Sequence, residues 1–452
     1  MRTTSALFKL RGSIHPEYFK GLARDKAIVT MPLPERLCVS MAQHLGAPAK
    51  PIVSKGDTVL KGQRIGEAVG FISAHVHAPT SGTVADVEEG PTVSGTRALR
   101  VVIQPDGKDS PAPSVAPIPD WRSAAKEELL ARIADAGVAG MGGAGFPTRV
   151  KLSPPPDKPI DTLILNGAEC EPYLTADHRL MVERAPQIWQ GCEIIRQILG
   201  VKTVRIAIES NKPEAIAAMG KAMEGAEGDV AICILKTEYP QGAEKQQIFA
   251  ATGREVPSGG LPMDVGCVVE NVGTVFAVWD SIVNGNPLIE RVTTVTGHIV
   301  AEPKNVLARI GTSYADLLAF CGGLKGPAAK IISGGPMMGI AQSGLENSTT
   351  KTTSGLLFLE PGRVQTYSSM PCIACGRCVD ACPMDLLPAE LSNRIEAGDY
   401  DAAEELNVLD CIECGCCSFS CPAHRPLVQH MKMAKSRIIL KRRQAQTKSQ
   451  TK

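Results

Sequence analysis

The chain carries the run Cys-x2-Cys-x2-Cys-x3-Cys-Pro twice, at Cys372, Cys375, Cys378 and Cys382-Pro383 and again at Cys411, Cys414, Cys417 and Cys421-Pro422. No other feature limits its fold as tightly. In this spacing three thiolates wrap one face of an iron–sulfur cube, and the proline turns the chain so that the fourth thiolate reaches a neighbouring cube. Two [4Fe–4S] clusters with exchanged fourth ligands are therefore expected. One takes Cys372, Cys375, Cys378 and Cys421; the other takes Cys411, Cys414, Cys417 and Cys382. A further thiol, Cys416, interrupts the second run. As third ligand it would give Cys-x2-Cys-x1-Cys-x4-Cys and break agreement with the first run, so Cys416 is the spare. Zinc sites instead use two close cysteine pairs separated by a longer loop. Gly376 and Gly415 allow backbone N–H groups to approach cluster sulfur. The intervening "MDLLPAELSNRIEAGDYDAAEELNVLD" has helical spacing, so residues 366–440 are expected to form an α-helical, ferredoxin-like double-cluster domain.

Six more cysteines, Cys38, Cys170, Cys192, Cys233, Cys267 and Cys321, are scattered along the chain. The N-terminal stretch lacks an apolar secretory segment, so clustered cysteines imply metal in a reducing compartment, and the scattered ones imply buried thiols. The apolar run "GCVVENVGTVFAVWDSIV" is broken by Glu270, Asn271 and Asp280, which argues against a membrane span. Charge is balanced at 48 Lys+Arg against 47 Asp+Glu, and aromatic content is 4%. Neither a basic field nor base-stacking platforms are available, which excludes nucleic acid as a partner.

The remaining sequence divides into multidomain α/β and α+β architecture. Residues 1–105 are rich in β-branched residues, glycine and proline, and "KGDTVLKGQRIGE" and "APTSGTV" resemble the barrel-sandwich fold of biotinyl and lipoyl carriers. The hairpin tip "AVGFISA" has no lysine, so no swinging arm is expected. A Pro-rich linker spans 106–121. In 122–285, short apolar strands such as "DTLILNGAE", "TVRIAIES" and "VAICILKTE" alternate with helical patterns, predicting an α/β layer with a mostly parallel sheet. Residues 286–365 resemble a soluble-ligand-binding β-grasp unit. The basic stretch 441–452, "KRRQAQTKSQTK", is expected to be disordered.

Between the first helix and the first strand of the α/β unit lies "GMGGAG", Gly140 to Gly145. A dinucleotide fingerprint follows a strand and opens a helix; this loop follows a helix. Gly140, Gly142, Gly143 and Gly145 nonetheless leave the backbone bare for close approach to a phosphate or an isoalloxazine ring, with Lys151 placed to neutralise charge. Asn166, Glu169 and Glu171 follow the strand "TLIL", where ligands gather in open α/β sheets.

"GMGGAGFPTRVK", "NGAECEP", "YPQGAEK" and "ENVGT" resemble, in order, the flavin and nicotinamide site of the complex I flavoprotein subunit. The resemblance implies FMN contacts at Gly140, Gly142, Gly143, Ala144, Gly145, Phe146, Lys151, Asn166, Tyr239, Gly242, Glu244, Asn271 and Thr274. It also puts Phe146 and Glu171 on the NAD(H) side. Met141 and Ala168 depart from that pattern, which has Arg and an acid there. Across about 430 residues the domain order is similar to the RnfC family of the Rnf ion-translocating ferredoxin:NAD oxidoreductase complexes, supported by "MPLPERL", "GAPAKP" and "HAPTSGTV". That family implies FMN, two [4Fe–4S] clusters and NAD(H) as substrate. It implies integral and peripheral membrane subunits as partners, with ferredoxin served indirectly, at the cytoplasmic face of the bacterial inner membrane. Flavin would join hydride chemistry to one-electron clusters, with no protein nucleophile. Two other readings stay open: a soluble, cobalamin-reductase-like flavin/iron–sulfur enzyme, and an electron-transfer adaptor without flavin.

Overall fold

The computed structural model describes residues 3–6, 8, 10–113, 116–368 and 370–450, without the side chains of 446–450. Its centre is a five-stranded parallel sheet in the order Thr3–Ser5, Asp229–Leu235, Thr203–Glu209, Thr162–Gly167, Cys267–Asn271. The inner strands are continuous apolar runs because helices cover both faces. Leu163, Ile164, Leu165, Ile206 and Ile208 are all fully buried, each burial being worth roughly 1.5–3 kcal/mol. The long helix Ala176–Leu199 ends at Gly200, whose φ of 69° provides the left-handed stop. Helix Val272–Trp279 starts where the side chain of Asn271 accepts the Gly273 N–H at 2.8 Å. Register places Asn166 directly beside Asn271 at the carboxyl ends of neighbouring strands.

The barrel-sandwich unit is a four-stranded sheet (Leu37–Ser40, Arg97–Pro105, Gly82–Pro91, Thr58–Val59) facing a three-stranded one (Lys50–Pro51, Arg64–Glu67, Val76–His77). The β-grasp unit is a six-stranded mixed sheet carrying helix Tyr314–Phe320. The beginning of the chain belongs to neither unit alone. Thr3–Ser5 extends the parallel sheet, Ile14 bridges to Tyr239, and Ile28–Thr30 pairs with Lys304–Arg309 of the β-grasp sheet. The proline-rich connection is also anchored: the Ile118 N–H bonds to the Ile282 carbonyl at 2.7 Å, and Trp121 is buried in the core. Its prolines stiffen a packed strap.

In the cysteine domain the two runs adopt the same backbone. Gly376 and Gly415 have φ of 76° and 80°, Ala374 and Glu413 have 53° and 59°, and Asp385 and His424 have 52° and 51°. Each run thus turns at the same three positions. The final helix, Leu427–Gln450, corrects the expectation of disorder beyond residue 441; residues 451–452 lie outside the described residues. The helix contains no Gly or Pro and many strong helix formers. Lys441 and Arg442 tie it to Asp401 and Glu404 on helix Tyr400–Glu405.

Candidate functional site

The glycine loop closes on itself: the Gly140 N–H donates to the Phe146 carbonyl at 2.9 Å, and Ala139 bridges Pro147. It follows helix Lys126–Asp135 and leads into the short helix Thr148–Lys151. Within the loop the glycines are not equivalent. A Cβ on Gly142 would sit 2.9 Å from Cβ of Asn271, whereas one on Gly143 would meet nothing within 4 Å. Gly143 is therefore the point of bare, open backbone. Thr274 anchors the loop by accepting the Met141 N–H at 3.0 Å. Asn271, at the end of strand Cys267–Asn271, donates to Asp177 of the long helix at 2.6 Å.

At the strand ends, the Asn166 side chain donates to the Gly242 carbonyl at 2.9 Å and accepts from Gln247 at 2.8 Å. Lys151 bonds Glu244 at 2.6 Å, so its charge is already partnered. Buried Glu270 lies beside this pair, and burial pushes its carboxyl up to about 7 despite the Lys151 charge. Buried polar atoms without partners collect here: Oε1 of Glu270, Oε1 of Gln247 and Oγ1 of Thr148. Open glycine backbone above unsatisfied polar atoms fits the polar rim and phosphate of a flavin. A cavity lined by residues including Met141, Asp177, Phe276 and Arg291 adjoins the loop at its second residue. It contains none of the loop's glycines, so the cradle is assigned to the Gly143 side.

Three predicted residues have other partners. Glu169, at a φ of 45°, uses both carboxylate oxygens to accept the Asp177 and His178 N–H groups, capping the long helix. Glu171 is held by the Met337 and Met338 N–H groups at 3.1 and 2.7 Å, and burial raises its carboxyl to about 7. Tyr239 is fully buried, and its hydroxyl donates to the Cys414 carbonyl at 2.8 Å. Glu169 also lies close enough to act on the charges of Asp177 and Arg291, and Arg291 donates to the Met141 carbonyl of the loop. Residues that sequence reasoning missed include Lys20, whose ammonium donates to the carbonyls of Glu169, Glu171 and Leu174 at 2.6–3.0 Å. Arg291 donates to the Met141 carbonyl at 3.0 Å from the β-grasp sheet. No local sequence signal marks either one.

The cysteines separate into two cavities. Cys372, Cys375, Cys378 and Cys421 line one; Cys382, Cys411, Cys414 and Cys417 line the other. Among the described residues no three His, Cys, Asp or Glu side chains converge as a single-ion site; each thiol set surrounds a space instead. Backbone N–H groups of Ala374, Leu386 and Glu413 point at Sγ of Cys372, Cys382 and Cys411, each at 3.4 Å. Four thiols with N–H donors around each cavity suit an iron–sulfur cube. Cys416 is buried outside both linings, packed with Ile14, Cys170 and Tyr239.

Residues 133–280 match the Nuo51 FMN-binding domain family, residues 8–108 the RnfC barrel sandwich hybrid domain, residues 292–341 the SLBB domain, and residues 365–422 the 4Fe-4S dicluster domain. Fold and site together define a class, oxidoreductase subunits that join a flavin to paired iron–sulfur clusters. The C component of the proton-translocating ferredoxin:NAD(+) oxidoreductase complex of Clostridium ljungdahlii is 50% identical over 431 residues, covering 95% of this chain and 94% of that protein. Its counterpart in the Na(+)-translocating ferredoxin:NAD(+) oxidoreductase complex of Acetobacterium woodii is 45% identical over 433 residues, covering 96% and 98%. The chain belongs to the RnfC family. An NAD+-reducing [NiFe]-hydrogenase in the air-oxidized state matches with TM-score 0.48 and 19% identity over 65% of this chain and 57% of that one.

Proposed function

We propose that the chain is the peripheral NAD(H)-reactive subunit of a membrane-bound, ion-translocating electron-transport complex. It exchanges hydride with NAD(H) at FMN and single electrons through two [4Fe–4S] clusters. When bound, FMN supplies the conversion between a two-electron hydride and one-electron carriers. The protein's part is to hold the groups and keep them in contact. The glycine loop, Asn166, Asn271, Thr274 and the Gly242 backbone form the flavin cradle. Lys151 and Glu244 brace it from below, and the two thiol sets carry the clusters.

One observation carries this reading. The segment from Tyr239 to Glu244 is shared by both centres: Gly242 and Glu244 belong to the cradle, and the Tyr239 hydroxyl bonds the peptide of Cys414. The set containing Cys414 therefore abuts the flavin domain, an arrangement reinforced where Gln246 donates to the Pro383 carbonyl at 2.8 Å. Cys372 and Cys375 of the other set are exposed, which favours that set as the side open to a redox partner. The relatives are named as complex subunits over nearly their whole length, which favours this reading over a stand-alone soluble reductase or a flavin-free adaptor. No helix of the described residues is long and apolar enough to cross a membrane. Attachment through partner subunits, on the cytoplasmic face where NAD(H) is available, completes the proposal.

The test is an anaerobic absorption titration of the purified chain with NADH. Flavin bleaching followed by cluster reduction is expected, and an NADH-inert flavin would refute the assignment. Gly143→Val has room in the protein fold, so its expected failure to retain FMN reports on the cradle alone.

A further inference from the structure

The barrel-sandwich hairpin tip lacks a modifiable lysine, but it ends beside the glycine loop. Three contacts lead from one to the other. The Leu45 N–H donates to the Gly145 carbonyl at 3.1 Å, the Ala47 N–H donates to the Ile72 carbonyl at 3.1 Å, and the guanidinium of Arg149 stands 5.6 Å from the ring centroid of Phe71. Gly46, at a φ of 100°, packs so closely on the Ile72 carbonyl that a side chain there would clash. The tip is thereby fixed against the exit of the glycine loop.

Its outer surface is apolar and uncovered: Phe71 is 63% exposed, with Leu45, Val69 and Ile72 exposed around it. Arg149 adds a positive charge of a particular kind. Lys151, one helical half-turn away, is engaged by Glu244, whereas Arg149 makes its contact with the Phe71 ring and has no carboxylate partner among the described residues. An exposed ring flanked by an unneutralised guanidinium matches the two chemical parts of an adenosine diphosphate, a flat base and a doubly charged pyrophosphate. A partner-protein surface would satisfy the apolar patch but would give no reason for the cation at the edge of the glycine loop.

We propose that the hairpin tip is the adenosine-binding lip of the NAD(H) site, with Phe71 stacking the adenine and Arg149 contacting the pyrophosphate. The inference rests on the NAD(H)-reactive reading above and assigns the barrel-sandwich unit a share in substrate recognition. The reacting nicotinamide end is left to the flavin cradle.

The test uses the full-length, flavin-loaded chain with ferricyanide as acceptor and two donors, NADH and reduced nicotinamide mononucleotide, which has no adenosine. Phe71→Ala should raise the KM for NADH about tenfold, the scale of one lost base stack, with kcat unchanged. The KM for the mononucleotide should not move, and Phe71→Trp should behave as wild type. Arg149→Gln should weaken NADH similarly and leave FMN content intact. An unchanged KM for NADH, or equal losses with both donors, overturns the proposal. Loss of FMN from Arg149→Gln would assign the cation to the flavin phosphate instead, and lost partner co-purification with unchanged kinetics would make the tip a protein interface. Either result overturns it. If wild type binds flavin but oxidises neither donor, the NAD(H) reading itself falls.

Discussion

Cys416 and Cys417 are neighbours in sequence with different surroundings. Cys417 lines the cavity with Cys382, Cys411 and Cys414, while Cys416 turns into the packing around Tyr239 and Cys170. Cys416→Ser should therefore retain about eight irons per chain, the two-cube count. Cys417→Ser should lose or degrade one cluster, with an electron paramagnetic resonance signature distinct from that of Cys378→Ser. Iron loss from the Cys416 variant with Cys417→Ser intact would reverse the assignment. Glu270 offers a test of a different kind, because burial raises its carboxyl from the usual 4.5 to about 7 while Lys151 and Glu244 face it. Between those values the unfolded chain has released a proton that the folded chain keeps, so stability falls as pH rises through the window. Glu270→Gln does not titrate. In chemical denaturation it should match wild type near pH 4.5 and exceed it at pH 8, by about 3 kcal/mol from a shift of this size. A stability difference independent of pH would show that the carboxyl titrates normally.

At the scale of elements, the glycine loop is held by segments far from it in sequence. Arg291, in strand Glu290–Thr296, donates to the carbonyls of Met141 and Lys351. Lys351 in turn donates to the Gly137 and His75 carbonyls at 2.7 and 2.6 Å, and Thr352 packs against Gly145. The β-grasp unit thus clasps the chain at Gly137, ahead of the loop, and the loop itself at its second residue and its end. Removing the Arg291 side chain leaves buried carbonyls unsatisfied, a cost of about 1–3 kcal/mol, and frees the loop. Arg291→Met should raise the Kd for FMN roughly tenfold or more, with Arg291→Lys restoring part of it. Equal FMN affinity in a folded Arg291→Met chain would limit the clasp to a structural role. This clasp was not legible in the sequence, for a physical reason. Cysteine spacing and a run of glycines are local signals, since ligand geometry and backbone freedom act over a few residues. The Arg291–Met141 bond spans 150 positions and the Tyr239–Cys414 bond 175. Glu169 and Glu171 show both ranges: the N–H groups that hold Glu169 come from Asp177 and His178 in the helix just beyond it, whereas those that hold Glu171 come from Met337 and Met338, 166 and 167 positions away.

On the scale of the whole molecule, the domain order was legible while the weaving of the chain through it was not. Each unit has its own periodicity, so strands, turns and helices mark the units in sequence. The first thirty residues have no such pattern, being short segments that complete sheets formed elsewhere. They tie the flavin, β-grasp and cluster units together: Ile14 pairs with Tyr239, and Gly12 packs on the Cys382 carbonyl. The apolar surface this leaves uncovered lies partly beside the exposed thiols, at Met370 and Ile373. No described helix is long and apolar enough to span a bilayer. The proposed attachment through protein partners can be tested directly. Expressed without them, the chain should remain in the supernatant after ultracentrifugation with vesicles containing anionic lipid. With its partner subunits it should sediment with the membranes. The basic helix ending at Gln450 supplies the competing expectation, binding to anionic lipid that salt would reverse within a few hundred millimolar. Sedimentation of the isolated chain that survives high salt would point to direct insertion and remove the basis for a purely peripheral subunit.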